Sequence, residues 1–286
     1  MPEETPSLDA LRAEIDRIDD EIHDLIVHRA TIAAKVRAAK TGGGGGDIFL
    51  RPGRETIVLR RLLARHAGAF PRRVLVRLWR ELFSAIVSMQ GRFSLAVWMP
   101  ERGAGYIELA RNQYGSFTPL SVHQSVGQVV REVAEGRATV GVLPLPRAED
   151  ATAWWLHLTS DLPGTPRVVA RLPVVETGGL EALAIACLDP EPSGGADRAL
   201  LCIESGPDAS RAAVLDGLRE AGFDPVGLMD VRTLDSGPRL SLVEVAGFVA
   251  PGDERLALAT SGPISRLVVI GVHAEPFSAR DLDGAP

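Results

Sequence analysis

The first forty or so residues carry an apolar stripe that a small compact domain cannot bury by itself. Leu8, Leu11, Ile15, Ile18, Ile22, Leu25, Ile26, Ile32 and Val36 recur mostly at steps of three and four, the period of one helix face. Ser7 stands where an N-cap belongs. Thr41 followed by Gly42 to Gly46 ends the run, because glycines lose much backbone entropy in a helix. The spacing predicts one helix from Leu8 to Lys40, about 50 Å long at about 1.5 Å per residue. A domain of about ninety residues is only about 25 Å across. The stripe therefore calls for an outside partner, most simply the same helix of a second copy.

Two further helices are expected, one from near Pro52 to about His66 and one from near Pro71 to about Arg92. After Phe93 the pattern shifts to short apolar runs alternating with helical ones. Strands are expected over 94–98, 117–122, 139–143, 167–175 and 180–188, with helices over 106–113, 126–134 and 151–159. Pro190 to Gly195 reads as a loop or linker. From Arg198 to Val272 the order becomes β-α-β-β-α-β, the ferredoxin-like unit, and 274–286 reads as a loose tail. The fold class is multidomain: an all-α three-helix domain at 1–93, an α/β region at 94–190 and a ferredoxin-like domain at 191–286.

Charge divides along the same line. Residues 1–93 hold 16 basic against 12 acidic side chains, a net of +4, and the remainder 15 against 25, a net of −10. The helical part suits a small anionic substrate, and the small excess fits nucleic acid poorly. No apolar run reaches the roughly 18 residues that span a bilayer. The acidic N-terminus does not resemble a signal peptide, so a cytoplasmic setting is expected. Two cysteines, Cys187 and Cys202, give neither a disulfide framework nor a zinc pattern, and no metal is expected.

Arg29 and Lys40 are eleven residues apart on the first helix, about 20° short of or past three full turns, so both face the same way about 16 Å apart. Long side chains there could hold a small dianion between them. Arg12 lies about 25 Å from Arg29 along the same helix and reaches such a ligand only from an antiparallel partner. Lys40 is also one of only two lysines, against 29 arginines.

Leu8-Asp9-Ala10-Leu11-Arg12, Ile15, Ile18-Asp19, Arg29 and Lys40 resemble the first helix of the intertwined-dimer, all-helical chorismate mutases. Arg51-Pro52-Gly53-Arg54-Glu55 with Val58-Leu59 is similar to the opening of that family's second helix, and Trp79-Arg80-Glu81 with Gln90 to its third. The resemblance covers about residues 7–92. It implies conversion of chorismate to prephenate by a homodimer joined through the long first helix, with no cofactor. Arg12 of one subunit and Arg29 of the other would pair with the substrate carboxylates. Lys40 would meet a carboxylate and the ether oxygen, and Gln90 would donate to that oxygen. Glu55 would accept from the ring hydroxyl, with Arg54 beside it. Arg51 stands where the family often has a carboxylate, and Ile86 replaces a common serine. The reaction is a unimolecular rearrangement, so the protein's work is to orient a flexible dianion and to stabilise charge growing on the ether oxygen.

The family's bifunctional members join this mutase to prephenate dehydratase and an ACT regulatory domain, and the order here is similar. Val97-Trp98-Met99-Pro100-Glu101-Arg102-Gly103 and Thr139 to Leu145 resemble two dehydratase strands. The usual Glu-Asn-Ser is replaced by Pro146-Arg147-Ala148, and the Thr-Arg-Phe motif by Asp197-Arg198-Ala199. Loss of that threonine hydroxyl removes the implied proton donor, so no dehydratase activity is expected. Leu218 to Phe223 resemble part of an ACT domain, with Asp230-Val231-Arg232-Thr233 at its ligand segment. An aromatic amino acid effector and a ligand-free dimer-stabilising module both remain open there. Two alternatives to a simple mutase stand: a bifunctional mutase–dehydratase, and a non-catalytic aromatic-metabolite sensor. Trp154 and Trp155 are expected in the core.

Overall fold

The computed structural model describes residues 6–41, 48–101, 103–233, 237–260 and 262–283. The expected glycine connection at 42–46 lies outside them. Three helices open the chain: α1 (Leu8–Thr41), α2 (Pro52–Arg65) and α3 (Arg72–Gln90). Proline enters α2 in its first turn, where its missing N–H is not needed. Val76, Phe83 and Val87 give α3 a buried face. The stripe of α1 stays largely uncovered in the single chain, with Leu8 63% and Leu25 67% exposed.

The α/β region follows as β1 (Leu95–Trp98), α4 (Gly105–Tyr114), β2 (Leu120–His123), α5 (Val126–Ala134), β3 (Val140–Pro144), a 3-10 turn (Trp154–Leu158), β4 (Arg167–Leu172) and β5 (Ala182–Ala186). Strands β1, β2 and β3 are parallel, and β5 joins β3 and β4 antiparallel. The chain then makes β6 (Asp197–Ser205), α6 (Arg211–Glu220), β7 (Pro225–Thr233), β8 (Arg239–Ala246), α7 (Glu254–Ala259), β9 (Ile264–Ala274) and α8 (Ala279–Asp283). The last four strands stand in the order β9-β6-β8-β7, which is the ferredoxin-like 4-1-3-2 arrangement. So the helical domain is followed by an α/β region and a βαββαβ unit, as the sequence predicts.

Among the described residues the strands form one nine-stranded sheet, β2-β1-β3-β5-β4-β9-β6-β8-β7. Its weld is a single parallel pairing, Val168 with Gly271. A Cβ on Gly271 would stand 2.3 Å from the Val168 carbonyl oxygen and 2.4 Å from its nitrogen. Only a glycine lets the two backbones approach this closely. Gly271→Ala is therefore expected to cost about 3 kcal/mol by forcing β4 off β9, read as a lowered midpoint in urea unfolding. Beneath the weld, Leu183 and Ile185 share a core with Leu200, Leu242 and Ile270.

Three stretches differ from the sequence expectation. Residues 151–159 form only the 3-10 turn, because the adjacent Trp154 and Trp155 are both fully buried. Trp154 Nε1 donates to the Pro144 carbonyl and Trp155 Nε1 to Asp230, 3.1 and 2.9 Å away, so the turn serves two separate walls. The segment read as a loop or linker is a loop, held against α2 rather than free. Arg60 of α2 donates to the Ser193 carbonyl, the Ser193 hydroxyl and the Ala196 carbonyl, at 2.6, 2.7 and 2.9 Å. The segment read as a loose tail packs Phe277 and Leu282 against Leu59, Leu63, Val76 and Phe83 of the helices. Among the described residues, no helix is long and apolar enough to cross a membrane.

Candidate active site of the helical domain

The seam where α1 and α2 meet α3 collects the charged groups of interest. Arg29, from the middle of α1, sets its guanidinium 5.5 Å from the centre of the Phe83 ring. Arg80 stands against the same ring at 6.0 Å. Glu55, in the first turn of α2, accepts a hydrogen bond from Arg80 Nη1 at 2.8 Å. This ion pair is buried, with side-chain exposures of 3% for Arg80 and 11% for Glu55. Gln90, at the end of α3, donates through Nε2 to the Ala33 carbonyl of α1 at 2.8 Å. Arg29, Glu55 and Gln90 thus come from three helices to one seam. Arg29 Nη1 is buried there with no hydrogen-bond partner among the described residues. A buried cationic donor without an acceptor is the kind of group an anionic ligand satisfies.

The electrostatics match this crowding. Burial lifts the Glu55 carboxyl to about 7, against the pull of the Arg80 and Arg29 guanidiniums and with a push from Glu191. Burial lowers Arg29 and Arg80, and Glu55 opposes it in both. Tyr114 of α4 lies close enough to feel Glu55 and Arg80, and burial raises its phenol. The folded protein holds the Glu55 proton more tightly than the unfolded chain does. Its contribution to stability is whole below the ordinary 4.5 and fades as pH climbs through about 7. Denaturant midpoints are expected to fall across that window, and Glu55→Gln should flatten the fall; an unchanged slope in the variant would contradict the assignment.

The other expected site residues are placed as follows. Arg12 is exposed, 3.5 Å from Asp9, and far along α1 from Arg29. Arg54 is exposed on α2. Arg51 is exposed and stands 3.7 Å from Glu191. Lys40 lies in the last turn of α1, with its side chain outside the described residues. Sequence reasoning missed Arg80 as a partner of Glu55. The signal was present: Arg80 falls four residues after Val76 and three before Phe83, on the face of α3 that must be buried. The approach of Tyr114 comes from the α/β region and had no such signal. Among the described residues no cluster of His, Cys, Asp or Glu could hold a metal ion.

Comparison with known proteins bears on this geometry. Residues 11–91 match the family of type II chorismate mutases. The chain is 31% identical over 146 residues to a bifunctional chorismate mutase/prephenate dehydratase of Pseudomonas aeruginosa, a stretch covering 50% of this chain and 40% of that protein. A protein of the same description from Aquifex aeolicus is 32% identical over 146 residues, covering 48% of this chain and 38% of the relative. The chain thus spans about 40% of the length of the curated relatives it matches. Among solved structures, prephenate dehydratase from Streptococcus mutans aligns with a TM-score of 0.45 at 13% identity, covering 63% of this chain and 97% of that one.

Proposed function

We propose that the helical domain, residues 1–93, converts chorismate to prephenate in aromatic amino acid biosynthesis, in the cytoplasm and without a cofactor. The observation that carries this reading is the Nη1 of Arg29, buried beside Glu55 on the α1–α3 seam with no hydrogen-bond partner among the described residues. It is joined by the family match over the same residues. Two copies pair through the uncovered stripe of α1, and Arg12 of one enters the site of the other. Arg29 and that second Arg12 hold the two carboxylates, and Arg54 and Arg51 line the approach. Lys40 and Gln90 face the ether oxygen, where negative charge grows as the carbon–oxygen bond breaks. An amide nitrogen has two donors, so Gln90 can hold Ala33 and still serve the substrate. Glu55, kept in place by Arg80, accepts from the ring hydroxyl.

The region 94–190 is a dehydratase-like lobe without that activity, and 191–286 an ACT-like regulatory module that takes an aromatic amino acid. At the place of the missing dehydratase motif, Asp197 accepts from Ser193 and Arg198 pairs with Glu275, while Ala199 is wholly buried. None of the three offers a hydroxyl for proton donation. A second reading, a bifunctional mutase–dehydratase, draws on the description carried by the relatives. Following chorismate consumption with product identification separates the readings. Prephenate alone is the expected product, and phenylpyruvate would bring in the second reading. An inert protein that still binds phenylalanine would instead be a sensor.

A further inference from the structure

A cavity of about 310 Å³ opens where α3, α4 and the segment after β4 meet, with neither Arg29 nor Gln90 in its lining. That is the lower end of the range that holds a small organic molecule. Its walls are of two kinds. Val76, Leu109, Val174 and Val175 make an apolar floor. Arg73, Arg77 and Arg80, spaced four and three apart on one face of α3, make a cationic side. Among the described residues no carboxylate is part of its lining. Arg77 donates to Asn112 at 2.6 Å and stands 3.9 Å from Glu81, Arg80 pairs with Glu55, and Arg73 has no ion-pair partner among the described residues.

Two lining side chains are buried and incompletely bonded. Arg80 is 3% exposed and Gln113 6%, and neither the Nε of the first nor the Oε1 of the second has a hydrogen-bond partner among the described residues. Buried polar atoms are rarely left so, and two of opposite kind at one cavity are rarer still. One is a donor that suits an anion, and the other an acceptor that suits a hydroxyl or amine. A neighbouring space of about 30 Å³ shares Arg80 and Gln113 and has room for about one water.

We propose that this cavity is a second ligand site, built for a small carboxylate with an apolar or aryl body and one hydrogen-bond donor beside the carboxylate. The carboxylate faces the arginines of α3, the donor meets Gln113, and the body lies on the valines. Because the floor joins the helical domain to the segment after β4 and, through Val175 and Phe277, to the chain's end, an occupant ties these parts together.

The test uses the full-length protein and 3-phenyllactate as probe, followed by calorimetry and thermal shift. Saturable binding with a raised melting temperature is expected, and 3-phenyllactamide, which lacks the charge, should bind about tenfold more weakly. Arg73→Ala with Arg77→Ala should weaken the acid by a similar factor and leave the amide unchanged. Thr177→Trp, at the exposed rim, should abolish binding without shifting the melting of the unliganded protein. Arg29→Ala, which removes a cation of the proposed mutase site, should leave probe binding intact. The proposal is overturned if no saturable binding occurs, if acid and amide bind alike, or if binding vanishes with Arg29→Ala yet survives the rim and Arg73/Arg77 changes.

Discussion

Replacing Arg29 by alanine is expected to lower kcat/KM for chorismate by about a hundredfold to a thousandfold, because a substrate carboxylate loses its charge-assisted hold and the flexible dianion its orientation. Arg29 is half-buried and its Nη1 has no acceptor among the described residues, which leaves that donor to a ligand. Lys40→Ala should fall as far, with the loss mainly in kcat if the ammonium meets the ether oxygen. The pairing of subunits gives a sharper check. Arg12→Ala and Arg29→Ala should each be nearly inert alone. Co-expressed, half the dimers are mixed, and in each of these one site carries both lesions and the other none. About a quarter of wild-type activity should therefore return. Failure to recover activity from verified mixed dimers would place Arg12 and Arg29 in the same subunit's site or remove Arg12 from it. Circular dichroism on each variant shows whether the helices remain.

Breaking the buried ion pair should affect the two partners unequally. A lone buried charge costs about 3 to 5 kcal/mol. Arg80→Leu strands Glu55, but that carboxyl already sits near 7 and escapes by taking a proton. Glu55→Leu strands Arg80, which keeps its charge at any ordinary pH. The second change should therefore destabilise more, by the full 3 to 5 kcal/mol or about 10 °C in melting temperature. The double variant Glu55→Leu with Arg80→Leu should be more stable than Glu55→Leu alone, because the pair's desolvation cost goes with it. Thermal and urea unfolding of the three variants measures this. Equal losses in both single variants at neutral pH would show that Glu55 stays ionised in the folded protein. Activity should fall in all three, since each disturbs the carboxylate proposed to accept from the substrate hydroxyl.

Most of the helices were legible from residue pattern alone because each carries a single apolar face. The 3.6-residue period of α1, the proline entry of α2 and the limits of α5 at Val126 and Ala134 all stand where the spacing puts them. The strands were located within a few residues by their apolar runs. Their neighbours were not, since β4 meets β9 across about a hundred residues at one glycine, and such a contact leaves no local trace. The adjacent tryptophans misled for a related reason. A helix presents consecutive residues about 100° apart, yet Pro144 and Asp230 from distant strands supply acceptors on both sides. At the candidate site, spacing located Arg29 and Lys40 on one face, but the orientation of Glu55 depends on Arg80, which reads as an interruption of an apolar face until α2 is packed on it.

The arginine of α2 that gathers Ser193 and Ala196 has a practical consequence. Exposed loops of small and polar residues are where proteases ordinarily cut, because the backbone there opens cheaply. Here Gly53 also donates to Glu191, so the stretch cannot enter a protease cleft until the second helix lifts away. Clipping between Pro190 and Gly195 would then time the separation of the helices from the sheet, and a protease added in trace amounts becomes a clock for that opening.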